Sequence, residues 1–254
     1  MVYRYDLHCH TKEGSKCSDI SVTEMVELYY EMGYSGICIT DHFSGMTTIP
    51  DNTPWKERIL IHYDIYEKAR KAGEKWGLSV FFGIEYSPVY ELKQMTKCIG
   101  IDFIIINLSK EWLVKNQTAF YGTDREQLNN LRKAGGFIIH AHPIIYKQDI
   151  QQIQLYQNCI DAVEIINGGL NEINNNSALN YARAYGLIET AGTDIHRFDQ
   201  KIMAGIETET PYSTIEGLVN AIKKRKAKPF SVERDITDYW LQIQYRASEA
   251  RKMK

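Results

Sequence analysis

The amino-acid sequence predicts an α/β fold, a single barrel in which strands alternate with helices, and three observations lead there. Short apolar runs recur along the chain with helical stretches between them, the rhythm of parallel strands joined by helical crossovers. The runs are mostly apolar instead of alternating regularly with polar residues, so both faces of each strand should be covered. A length of 254 residues suits one α/β barrel and allows a full core.

The strand candidates follow in order. Tyr5-Asp6-Leu7-His8 opens the series, and Gly36 to Thr40 and Ser79 to Ile84 continue it. Phe103 to Ile106, Gly136 to Ile139, Ala162 to Ile166 and Leu187 to Ala191 complete it, each short and bounded by polar residues or glycine. After the first strand, Ser21 with Glu24 three residues later forms a capping signature. Met25, Val26, Leu28 and Tyr29 give that helix an apolar face, and it stops near Gly33. Further helices are expected over Trp55 to Trp76, Asp124 to Ala134, Asp149 to Gln157, Asn175 to Tyr185 and Thr214 to Lys224, giving seven strand-helix steps. Ile236 to Lys254 reads as a charged helix packed outside the barrel, and residues 1–254 read as one domain without repeat or linker.

Composition narrows the function classes. A net charge of -2 argues against broad nucleic-acid or lipid affinity, though a local metal cluster attracts phosphate whatever the total charge. Apolar runs fall short of the ~20 residues of a membrane helix, and Met1 to Asp6 lacks a signal-peptide core, so a cytoplasmic protein is expected. The cysteines, Cys9, Cys17, Cys38, Cys98 and Cys159, are scattered and odd in number. Neither a disulfide framework nor a thiolate zinc knuckle is indicated.

The chemistry concentrates at strand ends. His8 and His10 lie two apart on a strand and can share one face. The second strand runs into Thr40-Asp41-His42, the third into Glu85, the fifth into His140-Ala141-His142 and the last into Asp194-Ile195-His196. In parallel α/β architectures these ends share one rim, where sites are built. Six of the 7 histidines fall there, and His62, on a helix, reads as a surface residue. Imidazoles and carboxylates without cysteine suit two or three divalent ions of zinc, manganese or iron. A carboxylate such as Glu85 can bridge two ions, and ions so placed activate water for attack on phosphorus.

The opening Asp-Leu-His-x-His-Thr, the Thr-Asp-His, the Gly-x-Glu, the Ala-His-Pro and the Gly-Thr-Asp-x-His occur from Asp6 to about Gly205. As a set they resemble the polymerase and histidinol phosphatase (PHP) family of metal-dependent phosphoesterases. The resemblance implies a distorted, TIM-like seven-stranded (β/α)7 barrel with three metal sites. It implies His8, His10, Glu85 and Asp194 on a first ion, Glu85 bridging to a second ion that His142 also binds, and His42 and His196 on a third. The loop after His-x-His should add a ligand to the third ion, with Glu13 or Asp19 the candidates.

One departure stands out. After the fourth strand the family pattern has a histidine for the second ion, where this chain reads Asn107-Leu108-Ser109-Lys110. Either His140 takes over that position or the second site is weak or empty, leaving a two-metal enzyme; Ser109 or Asn107 could also contact substrate. Glu85, Asp194 and His196 are the catalytic candidates, with Asp41 a further proton carrier, and Arg197 could clamp a phosphate oxygen with its planar fork. The expected substrate is a small phosphorylated metabolite or nucleotide, with no membrane partner. Histidinol phosphate is the specific alternative, and a catalytically weak, metal-binding regulatory barrel is the alternative of another class. A C–N hydrolase with the same His-x-His opening fits less well, because Glu85 stands where such sites commonly carry a modified lysine.

Overall fold

The computed structural model describes residues 1–88, 98–99, 101–145 and 152–252. In chain order the strands are β1 Tyr3–Cys9, β2 Gly36–Ile39, β3 Ser79–Tyr86, β4 Cys98–Ile99, β5 Phe103–Ile106, β6 Phe137–His140, β7 Gln152–Ile153, β8 Ala162–Asn167, β9 Ile188–Gly192, β10 Ile202–Thr208 and β11 Ala227–Glu233. The α-helices are α1 Val22–Glu31, α2 Trp55–Glu74, α3 Lys110–Lys115, α4 Asp124–Lys133, α5 Glu172–Ala184, α6 Ile215–Lys223 and α7 Thr237–Lys252. Among the described residues no helix is long and apolar enough to cross a membrane.

Nine strands, not seven, form the main sheet, in the order β11-β10-β1-β2-β3-β5-β6-β8-β9. The sheet curls into a nearly closed barrel. Its two distant members meet where Asp194 N–H donates to His8 O at 2.8 Å and Cys9 bridges Ile195. The two unanticipated strands, β10 and β11, extend the sheet antiparallel to β1. Strand β11 carries Pro229 at the sheet edge, where a missing N–H does least harm, and its mixed burial hid it from a search for apolar runs.

Strand β5 is as apolar as expected, but it runs antiparallel to both β3 and β6. An apolar run reports burial, and burial has no direction. The consequence is large for the site: the N-terminal end of β5, at Asp102, lies with the C-terminal ends of its neighbours, while Asn107 and Ser109 lie at the opposite end. The helix expected over Asp149 to Gln157 is absent from its described part, which contains the short strand β7, and residues 146–151 lie outside the described residues.

The helices form for the reasons their sequences give. Ser21 and Glu24 make both halves of the capping box on α1, and Thr123 and Glu126 do so on α4. The buried face of α2 runs Ile59, His62, Ile65, Ala69, so His62 falls within the apolar stripe and is 4% exposed, not a surface residue. It packs beside Phe43, ring centres 5.2 Å apart. Helix α7 lies against α1 through buried Ile243 and an ion pair of Arg246 with Glu27 at 2.9 Å. Inside the sheet, Leu7, Cys38, Phe81, Ile104, Ile106, Phe137, Ile139 and Ala162 form one apolar cluster that supports the polar rim.

Candidate metal centre

The end of β1 departs from simple alternation. Asp6 accepts a bond from Tyr29 Oη at 2.5 Å, and Cys9 Sγ donates to the same oxygen at 3.3 Å. Residues three apart therefore share one face, which requires the register shift found between them in the pairing with β2. His8 and His10 turn to the other side, fully buried. Asp6 also accepts from the backbone N–H of His8 and of Thr193, tying β1 to the segment after β9. Burial, against the bonds from Thr193 and Tyr29, raises its pKa to about 6.

Each of the two imidazoles is oriented from behind. His8 Nδ1 faces Glu164 Oε1 at 3.0 Å; a carboxylate only accepts, so Nδ1 carries the hydrogen. His10 Nδ1 faces Ser15 Oγ at 3.1 Å, and that hydroxyl donates to Asp41 Oδ1 at 2.8 Å, so it accepts from His10. Both Nε2 atoms then point into one space, 3.0 Å apart. Asp194 Oδ1 lies 3.3 Å from the first and 3.2 Å from the second. Glu85 Oε2 lies 3.4 Å from His10 Nε2. Ligand atoms about 2.1 Å from one ion in a tetrahedral array stand roughly 3.4 Å apart, so the donor set fits a divalent cation. Glu85 Oε2 and Asp194 Oδ1 are buried without a hydrogen bond of acceptable geometry, as expected of atoms that face a cation.

Glu85 is shared. Its Oε2 is 2.7 Å from His42 Nδ1 and its Oε1 is 3.0 Å from His142 Nε2. The parallel bridge of His42 with Glu85 aligns the ends of β2 and β3 and sets that contact. Burial opposes ionisation of both acids. The surrounding histidines together outweigh it, His42, His142 and His8 at Glu85 and His8, His10, His196 and His142 at Asp194, holding each carboxyl well below its ordinary range. Burial likewise opposes protonation of His8 and His42, but Asp194 and Glu85 respectively hold them well above the ordinary imidazole value. His10, between like neighbours, is pushed by burial and by His42 down to about 3. The centre asks for positive charge, which protons or metal ions supply.

Among the described residues four groups of candidate ligands result, each with its ligand atoms within 4.8 Å of one another: His8, His10 and Glu85; His8, His142 and Asp194; Glu85, Asp102 and His142; and His10, Cys17, His42 and His196. His142 and Asp194 reach the centre from backbones at φ 27° and 52°, strained conformations for side-chain-bearing residues that tend to persist at functional sites. Glu164 steadies the set, accepting from His8 Nδ1, from the His142 N–H at 2.9 Å and from Asn167 Nδ2 at 2.9 Å. Asn167 Nδ2 also donates to Asp194 Oδ2 at 3.0 Å. Gly192 makes this possible, because an added Cβ would run into His8 and Glu164.

Other expected residues lie elsewhere. His140 ends β6 and turns to the helix side, its ring stacked on Phe103 at 4.9 Å and edge-on to Tyr156 and Tyr181; it belongs to none of the four groups. Ser109 caps α3 by accepting from the Trp112 N–H, at the far end of the barrel with Asn107, so neither touches the centre. Glu13 accepts from the Val22 N–H at 3.0 Å and serves the start of α1. Asp19 is exposed, and its backbone N–H donates to His196 O. Asp41 is occupied in holding the loop, accepting from Thr11 N–H and Oγ1 at 2.7 Å each. Arg197 is exposed and paired with Asp199 at 3.3 Å, yet it lines a cavity of about 480 Å³ with Cys17, His196 and Gln200 beside the centre.

Asp102, Cys17 and Glu164 were not anticipated as site residues. Glu164 carried a signal: a lone acid in the buried run Ala162 to Ile166 needs a partner. Asp102 carried none without the direction of β5.

Solved structures share this fold at low identity. A two-domain protein from Bacteroides vulgatus containing a predicted PHP-like metal-dependent phosphoesterase matches with TM-score 0.67 and 17% identity over 91% of this chain, which spans 65% of that protein. PsfC from Pseudomonas syringae matches with TM-score 0.56 and 15% identity over 97% of this chain and 98% of its own. An amidohydrolase from Chromobacterium violaceum, with bound sulfate and no metal, matches with TM-score 0.51 and 11% identity over 76% and 87%. No curated protein matches significantly. The PHP domain family model covers residues 6–230, the span that holds every group of candidate ligands, and the chain belongs to the PHP domain family.

Proposed function

We propose that this chain hydrolyses phosphate esters of a small metabolite or nucleotide, using two or three divalent ions of zinc, manganese or iron. The observation that carries the reading is the meeting of His8 and His10 Nε2 at 3.0 Å with Asp194 Oδ1 within 3.3 Å of both. His8, His10, Glu85 and Asp194 would hold a first ion, Glu85, Asp102 and His142 a second, and His42 and His196 a third. Ions there supply an electrophilic pull on phosphoryl oxygens and make water acidic enough to act as a nucleophile near neutral pH. Asp102 answers the missing histidine of the fourth strand, since the reversed β5 delivers its preceding residue to the rim instead of its following one.

The remaining residues position the substrate and the ligands. The cavity beside Cys17, His196 and Arg197 is the approach for a phosphate, with the Arg197 guanidinium moving from Asp199 to a phosphoryl oxygen. His196 Nδ1 donates to the Asp194 carbonyl at 2.8 Å, leaving Nε2 free to face the substrate side. Glu164 and Asn167 hold His8, His142 and Asp194 in place. The test is a panel of phosphomonoesters, phosphodiesters, histidinol phosphate and an amide, assayed with manganese, zinc and iron. Metal-dependent release of phosphate, lost on chelation and restored by the ion, is expected. A protein that binds its ions stoichiometrically and cleaves no phosphoester would refute the reading in favour of a regulatory barrel.

A further inference from the structure

We infer that Cys17 is a thiolate ligand of the third ion group, giving that group a nitrogen-and-sulfur donor set where a loop carboxylate is expected. The inference rests on the metal-dependent reading above and specifies the chemistry of one of its sites. Cys17 gathers with His10, His42 and His196, all their ligand atoms within 4.8 Å of one another. The rings of His42 and His196 both stack against that of His10, at 4.5 and 4.6 Å. Their Nδ1 atoms face Glu85 and the Asp194 carbonyl, which leaves Nε2 of each as the other donor atom.

The loop fixes the chain on both sides of that sulfur. Lys16 N–H donates to Met46 O at 2.8 Å and Ser18 Oγ donates to His10 O at 2.8 Å, so Cys17 is clamped on both sides. Gly14, where a Cβ would collide with the Asp41 carboxylate, lets the loop close tightly over Asp41. Both loop acids are turned away, Glu13 to the start of α1 and Asp19 to solvent. Cys9, Cys38 and Cys159 are buried in packing contacts, whereas half-buried Cys17 lines the cavity with His196. Binding breaks the S–H bond, forms a sulfur–metal bond and releases the proton to solvent. A thiolate among imidazoles selects zinc or cobalt over manganese, because soft donors favour the softer ion.

Cobalt(II) exchange into the 254-residue chain tests this by absorption spectroscopy. The native protein should show an intense near-ultraviolet sulfur-to-cobalt charge-transfer band that is absent in Cys17→Ser and Cys17→Asp. Zinc-edge absorption should likewise find a sulfur at about 2.3 Å in the native protein alone. Cys17→Asp should lower zinc affinity relative to manganese by roughly ten- to a hundredfold, the range typical of damage to a metal's surroundings. Far-ultraviolet circular dichroism confirms that the variants fold. A cobalt-loaded native protein without the band, or a band that survives in Cys17→Ser, overturns the assignment while leaving the metal reading intact. A protein that takes up no divalent ion overturns both.

Discussion

Two pairs of histidines, His8 with His10 and His140 with His142, have the same spacing and different fates. On β1 both rings turn to the centre and their Nε2 atoms meet at 3.0 Å. On β6 the strand ends at His140, and His142 takes a backbone φ of 27°. The bend separates the pair, sending one ring under the aromatic residues Phe103, Tyr156 and Tyr181 and the other to Glu85. A two-residue period is a property of extended backbone, so it relates two side chains only while the strand lasts. Functional residues sit where strands stop, which is where the rule is weakest.

The contrast can be broken most directly by substitution. His8→Ala should remove one imidazole from the densest group and lower metal-dependent phosphoester hydrolysis about a thousandfold, a few kcal/mol of transition-state stabilisation. His140→Phe keeps a flat ring among aromatics and should leave kcat within roughly twofold. Equal losses in the two variants, measured by steady-state kinetics beside metal analysis, would erase the distinction between the pairs. Asp102→Ala should cost the second ion, with metal content falling by one per chain and activity falling about a hundredfold. Unchanged metal content would return the second site to the question of His140. Glu164→Gln keeps the shape but weakens the hold on His8 Nδ1, and should lower metal affinity roughly ten- to a hundredfold by calorimetric titration.

The smallest effect concerns His62, a buried histidine that serves neither pair. Burial, with the charge of Arg58 adding to it, pushes its pKa down to about 3. The unfolded chain takes up a proton near pH 6.5 and the folded chain refuses it. Stability from this source is therefore complete above pH 6.5 and declines as pH falls toward 3, by about 2 kcal/mol at pH 5. His62→Leu should flatten that part of the profile in denaturant titrations at pH 7 and pH 5. An identical decline in the variant would place the acid sensitivity elsewhere.

Much of the rim could be read before the fold was known, because His8, His10, His42, Glu85, His142, Asp194 and His196 each follow or end a recognisable apolar run. Composition signals such as these survive without coordinates. What it could not convey was direction and bending. The run from Phe103 to Ile106 has the same composition read either way, so the reversal of β5 and the delivery of Asp102 were hidden. Cys17 was hidden differently: in a loop between two acids, Glu13 and Asp19, the carboxylates drew attention, and their diversion to α1 and to solvent depends on how the loop closes over Asp41. Strand β11 is hidden because Pro229 and the polar residues of an exposed edge break up the apolar pattern, whereas β10 is largely buried, its apolar run interrupted by Gly205 and Glu207.

The bond from Asp194 N–H to His8 O joins residues far apart in the chain, and both belong to the candidate centre. Shutting the ring of strands and assembling the first set of donors are thus the same event. During synthesis the imidazoles of the opening strand must wait for almost two hundred later residues before they acquire their acid partner, a long-range closure of the kind that slows folding. Until then a nascent chain carries those imidazoles without the carboxylate that completes their donor set, and the set is whole only when the distant strand ends have met.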